Sequence, residues 1–133
     1  MLTGGCHCGA IRYEISEDAP RHALCHCTDC RKSAGAPLVA WAVYPETAIK
    51  VVQGTAKVYH SSADGRRHFC PDCGTGLFYT NAVVFPNLID LQTATLDDPD
   101  AVVAPSAQIQ VADRIGWMKN AHQLPEFEHY PEG

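Results

Sequence analysis

Seven cysteines fall into three tight clusters and none lies outside them: Cys6-His7-Cys8, Cys25-His26-Cys27-Thr28-Asp29-Cys30 and Cys70-Pro71-Asp72-Cys73. An odd number cannot pair completely within one chain. Cysteines one or two residues apart also make poor disulfide partners, because the bridge needs a specific Cα separation and side-chain direction. The same spacings suit a metal, since a tight turn aims two thiolates at one ion. Met1-Leu2-Thr3-Gly4-Gly5 has neither the basic start nor the apolar core of a secretory leader, so a reduced, cytoplasmic setting is expected. In that setting clustered cysteines read as metal ligands or catalytic groups, and zinc is the expected ion. The rival reading is a redox dithiol at Cys70 and Cys73. Such dithiols usually sit at a helix start after a strand, whereas Gly74 and Gly76 favour a turn.

The seven thiols divide naturally as four and three. Cys25, Cys27 and Cys30 are close enough to hold one ion by themselves, which leaves Cys6, Cys8, Cys70 and Cys73 for a second. Four protein ligands close a structural zinc site, and three leave a position open for chemistry. The other division gives the three-cysteine site a histidine and makes both sites structural. On extended backbone, cysteines at i and i+2 share a face, so His7 and His26 are expected to point away from their flanking thiols.

The remaining chain reads as short strands. Residues 11–15 alternate apolar and polar side chains, and 38–44 are apolar on both faces, as in a central strand. Residues 49–51 and 56–59 flank Gln53-Gly54-Thr55, which suggests a hairpin. Asp64-Gly65 places 66–69 on the next strand, followed by 77–79, 88–93 and 107–111. A helical turn is expected after Cys30, stopped by Gly35, and a turn or two over 98–103, with Asp98 as cap and Pro99 at the first position. Cys70-Pro71-Asp72-Cys73-Gly74 reads as a zinc knuckle. Trp117 is expected to pack on the core. The whole is a mainly β chain of short antiparallel strands with little helix.

A chain of 133 residues is one domain of ordinary size, and 46% hydrophobic content supplies a core beyond any metal. That domain is expected over 1–124, with 125–133 as a loosely held polar tail. The net charge of −5 and the lack of a basic stripe weigh against a nucleic-acid binder. No apolar run is long enough to span a bilayer as a helix.

At three stretches the sequence resembles the family of glutathione-dependent formaldehyde-activating enzymes, also described as centromere-protein-V-like domains. These are Gly4-Gly5-Cys6-His7-Cys8-Gly9-Ala10-Ile11-Arg12-Tyr13-Glu14, then Cys25-His26-Cys27-Thr28-Asp29-Cys30-Arg31-Lys32-Ser33-Ala34-Gly35, then Phe69-Cys70-Pro71-Asp72-Cys73-Gly74. Thr95-Leu96-Asp97-Asp98-Pro99 and Trp117 are weaker echoes. The resemblance implies a β-tent-like fold, with a structural zinc on Cys6, Cys8, Cys70 and Cys73 and a catalytic zinc on Cys25, Cys27 and Cys30. It implies two zinc ions per chain and joining of glutathione to formaldehyde, a carbon–sulfur lyase reaction read in reverse. One departure is Gln108, where the family tends to carry a histidine.

In this reading a glutathione-like thiol and a small aldehyde are the partners, and Arg31 and Lys32 are the nearest cations for glutathione's carboxylates. Thr28 and Asp29 either orient ligands or cap the following turn. No general base stands out. The alternative is a zinc-stabilised thiol- or protein-binding module without turnover.

Overall fold

The structure, a computed structural model, describes residues 1–131. Its ten strands form two sheets. The smaller is β1 (Leu2–Gly5), β2 (Arg12–Ile15) and β5 (Ile49–Gln53), side by side in the order β1-β2-β5. The larger contains β3 (Arg21–Cys25), β4 (Val39–Pro45), β6 (Lys57–His60), β7 (Gly65–Phe69), β8 (Gly76–Asn81), β9 (Phe85–Gln92) and β10 (Ala107–Ile109). Its order is β10-β3-β4-β9-β8-β7-β6. Every pair in either sheet is antiparallel except β10 with β3.

Alternation builds the core. β2 turns Tyr13 and Ile15 inward, and they meet Tyr44, Leu77 and Leu91 from the larger sheet, all of them essentially inaccessible to water. The Tyr13 and Phe78 rings pack edge to face at 5.5 Å. The Tyr13 hydroxyl, buried with its ring, reaches Thr95 Oγ1 at 2.8 Å, which supplies the partner its burial requires. A second, smaller core gathers Cys25, Cys30, Val39 and Trp41.

Most expected strands form, and the departures have local causes. Residues 49–51 and 56–59 do not make a hairpin, because β5 pairs with β2 and β6 with β7. Side chains of both strands are mostly exposed, so neither presents an apolar face to the other. β5 is instead held to β2, with the Gln53 side chain donating to the Gly9 carbonyl. The true hairpin is β6–β7, closed over Asp64-Gly65. β1 and β3 were not foreseen as strands. β1 is glycine-rich and lacks a repeating pattern, and β3 runs directly into the central cysteines.

The helix α1 (Thr28–Ala34) starts earlier than expected, because Cys27 is its cap: its sulfur accepts from the Cys30 amide at 3.2 Å. It ends at Gly35, in the left-handed conformation at φ 62°. Over 98–103 there is a single 3₁₀ turn, Pro99–Ala101, capped by the Asp98 carboxylate. Trp117 does not pack on the core. It is 65% exposed in a 3₁₀ segment near the C-terminus, where the chain has already left both sheets. Residues 125–131 are exposed, and the last two positions of the expected tail lie outside the described residues. Among the described residues no helix is long and apolar enough to cross a membrane.

Candidate metal centres and the cavity beside them

The two folded sheets bring the cysteines together as four and three. Cys6 and Cys8 lie in the β1–β2 connection of the small sheet, and Cys70 and Cys73 in the β7–β8 turn of the large one. Their four sulfurs lie within 4.8 Å of one another, with Cys6–Cys8 at 3.6 Å and Cys8–Cys70 at 3.8 Å. Four sulfurs held about 2.3 Å from a tetrahedral zinc sit about 3.8 Å apart, and the two distances above are close to that spacing. Backbone groups shape both turns. The Ile11 amide donates to Cys6 Sγ at 3.2 Å, and the Gly74 amide returns to the Cys70 carbonyl at 2.9 Å. Gly74 adopts φ 82°, the left-handed value expected of the glycine after a knuckle. Hydrogen bonding from the hydroxyl and amide of Thr75 holds the Cys73 thiol down at about 5, which prepares it as a thiolate ligand.

The second set is Cys25 at the end of β3, Cys27 at the helix cap and Cys30 in the first turn of α1. Their sulfurs also lie within 4.8 Å, with Cys25–Cys30 at 3.7 Å and Cys27–Cys30 at 2.7 Å. Cys27 is the half-buried member, and its sulfur lies nearer to Cys30 than the about 3.8 Å that two ligands of one zinc would keep. All seven cysteines are free thiols. Hydrogen bonding with Cys25, then with Cys27, the Trp41 indole and the Arg67 guanidinium, holds the Cys30 thiol down at about 5. Hydrogen bonding with Cys30, then burial, pushes the Cys25 thiol up.

Neither histidine of the clusters joins a metal set. His7 is exposed. His26 is buried, turned off the thiol face, and its Nε2 meets Gln108 Oε1 at 2.8 Å. Gln108 thus ties β10 to the ligand loop, while its neighbours Ala107 and Ile109 face the cavity described next.

A cavity of about 450 Å³ opens over the three-cysteine set, within the size range of small-ligand sites. All three cysteines line it. The Trp41 and Tyr79 rings form a wall, 6.2 Å apart between centres. Arg67 lies over the Tyr79 ring at 5.1 Å and reaches Cys30 Sγ at 3.8 Å. Arg21 and Asp90 complete its charged lining together with the exposed Asp29. Burial pushes the Asp90 carboxyl up to about 6, with Arg21 opposing and Cys30 adding to the rise.

Arg31 and Lys32 open onto a different, shallower cavity, shared with Pro37 and Trp117. The Arg31 Nη2 donates to Thr28 Oγ1 at 3.3 Å. Sequence reasoning passed over Arg21, Arg67 and Asp90. Asp90 did carry a signal, as a carboxylate inside the apolar run Leu88-Ile89-Asp90-Leu91.

Fold and site together define a β-rich protein with one four-thiol centre joining its sheets and one three-thiol centre open to a cavity, both able to hold a metal ion. The sequence profile of the glutathione-dependent formaldehyde-activating enzymes matches residues 1–113, and the chain belongs to that family. A Halomonas elongata protein provisionally named as such an enzyme is 34% identical, over 99% of this chain and 90% of its own length. An uncharacterized lyase of Schizosaccharomyces pombe is 34% identical over 59% of this chain and 58% of its own. A crystal structure of a Rhodobacter sphaeroides protein has the same fold, with a TM-score of 0.63 over 80% of this chain and 98% of that one, at 21% identity.

Proposed function

We propose that this protein joins a glutathione-like thiol to formaldehyde or a similar small aldehyde, giving an S-hydroxymethyl adduct, and that it holds two zinc ions. Cys25, Cys27 and Cys30 would hold the catalytic ion. Cys6, Cys8, Cys70 and Cys73 would hold the structural one. The observation that carries the reading is the contrast between the two thiol sets: four ligands close one, and the other faces a ligand-sized cavity with only three. Cys25, Cys27 and Cys30 would hold the ion with one position open, and a zinc there would favour the deprotonated form of a thiol substrate near neutral pH.

The chain's own residues do the rest. The Arg67 guanidinium offsets the negative charge that collects at the three cysteines, and its contact with Cys30 fixes that ligand. Trp41 and Tyr79 enclose the reacting atoms, and confinement of both reactants beside one another supplies part of the rate. The substrate sulfur adds to the aldehyde carbon, the carbonyl electron pair moves to oxygen, and that oxygen takes a proton from water to replace the one the thiol released. Arg31 and Lys32 remain proposed partners for a glutathione carboxylate that leaves the cavity at the outer side of α1.

The test combines elemental analysis with kinetics. Two zincs per chain and a saturable, zinc-dependent acceleration of adduct formation are expected. A rate equal to the uncatalysed one with both zincs in place would overturn the enzyme reading and leave a thiol-binding module.

A further inference from the structure

Asp90 is a carboxylate that the fold leaves without an ionic partner. In the larger sheet it pairs with Val43 on one side and Tyr79 on the other. Val43 in turn pairs with Arg21, and Tyr79 with Arg67. Residues directly opposite on antiparallel strands share a face, so one row runs Arg21, Val43, Asp90, Tyr79, Arg67 across five strands. All five line the cavity over the three cysteines. Neighbouring strands are about 4.8 Å apart, which places Asp90 roughly 10 Å, backbone to backbone, from each arginine. Neither closes on it: among the described residues the ion pair found is Arg12 with Asp97. A carboxylate left half-buried and unpaired is costly, and a ligand cation that entered the row would remove that cost.

The row also has an order. Arg67 belongs to the thiol end through its contact with Cys30. Arg21 stands at the opposite end of β3 from Cys25, four residues away, or about 13 Å along an extended strand. Between them the cavity presents an alternation of charge: a cation at Arg21, an anion at Asp90, a cation at Arg67. The complementary ligand carries a carboxylate and an ammonium together at one end and a sulfur anion at the other.

We propose that Asp90 and Arg21 anchor the α-amino-acid end of the thiol substrate, Asp90 taking its ammonium and Arg21 its carboxylate, so that the site selects γ-glutamyl thiols. Free cysteine carries its ammonium and carboxylate too close to its sulfur to span the distance from the cysteines to Arg21. The γ-glutamyl unit of glutathione places such an end on the far side of the molecule. This inference rests on the thiol-binding reading above and adds the group that recognises the thiol.

The experiment titrates the zinc-loaded full chain by calorimetry with glutathione and with its des-amino analogue, glutaryl-cysteinyl-glycine. Glutathione is expected to bind about tenfold more tightly, the size of one charge-assisted contact. In Asp90→Asn the two thiols should bind within about twofold of each other, and the KM for glutathione should rise about tenfold. Arg21→Met, at an exposed position that tolerates change, should weaken glutathione by a similar factor. Equal binding of both thiols by the unaltered protein would overturn the anchor while leaving thiol binding intact. A fall in kcat with both thiols in Asp90→Asn, with the preference for glutathione retained, would overturn it by placing Asp90 at the reacting atoms. Binding of neither thiol would overturn the anchor together with the reading beneath it.

Discussion

Arg67 holds one end of its guanidinium 3.8 Å from the Cys30 sulfur. The same group rests 5.1 Å above the Tyr79 ring, so its position is fixed by stacking as well as by charge. The contact helps to keep Cys30 ionised, which is the state a metal ligand requires. Arg67→Met should therefore loosen one of the two metal sites and spare the other. With both zincs loaded, transfer to a competing chelator is expected about tenfold faster for a single ion, while the second is lost at the original rate. Arg67→Lys should fall between, since an ammonium keeps the charge and loses the planar stack. Equal loss of both ions would show that Arg67 acts on the fold as a whole.

The two thiol sets should respond differently to removal of one sulfur. Cys8 and Cys70 are 62 residues apart in sequence, and their cluster joins the small sheet to the large one. A metal there closes a long loop, and its binding energy is folding energy. Cys70→Ser should lower the melting temperature of the zinc-loaded protein by of the order of 10 °C or more. Cys27→Ser should cost much less, because Cys27 is half-buried at a helix cap and serine caps a helix well. It should nevertheless abolish adduct formation and release one zinc. Circular-dichroism melts beside metal analysis of both variants would check the pair.

The metal sets were legible in the sequence because their chemistry is local. Cys70 to Gly74 and Cys25 to Cys30 carry their spacing, turn proline and stop glycine within a few residues, and the structure brings the thiols of each motif into one of the two sets. What was not legible depends on register. In the sequence Asp90 is only a polar interruption of an apolar run, and nothing near it says that β9 lies between β4 and β8. Only that placement aligns it with Arg21 and Arg67. The same limit misplaced β5 and β6, whose sequences allow a hairpin although each finds a better partner elsewhere. Trp117 failed for a different reason. Aromatic character favours burial, but the last segment has no remaining sheet face to cover.

A core test follows from the shared interior of the two sheets. Leu91 is fully buried in it, on the same strand as Asp90 and the next residue along, so it faces the opposite side of the sheet from the cavity. Leu91→Ala should destabilise by about 2–5 kcal/mol, the usual cost of such a cavity. Thiol affinity, measured below the new melting temperature, should change little by comparison. Denaturant unfolding and calorimetry on the same preparation would separate the two effects.

Two aspartates should shift stability with pH in opposite directions. Hydrogen bonding from Arg12, then from Thr3, holds the Asp97 carboxyl down at about 2, below its ordinary 3.8. A carboxyl depressed in the folded state contributes stability above its unfolded value, and that contribution is lost as pH falls from about 4 to about 2. Asp97→Asn should therefore melt lower than the unaltered protein at neutral pH, with the difference closing as pH approaches 2. Asp90 is raised to about 6, chiefly by burial. The folded state then holds its proton more tightly than the unfolded chain, so its contribution is present below about 4 and is lost as pH rises through about 6. Asp90→Asn should melt higher than the unaltered protein at neutral pH, with the gain shrinking toward pH 4. Acid also strips thiolate-bound metal, but it does so in all three proteins, so the differences between their melting curves isolate each carboxyl. A neutral-pH gain in Asp90→Asn alongside weaker glutathione binding would mark Asp90 as a residue kept for its ligand at the expense of the fold. A loss of stability at neutral pH would mean that the carboxylate has a partner within the protein after all.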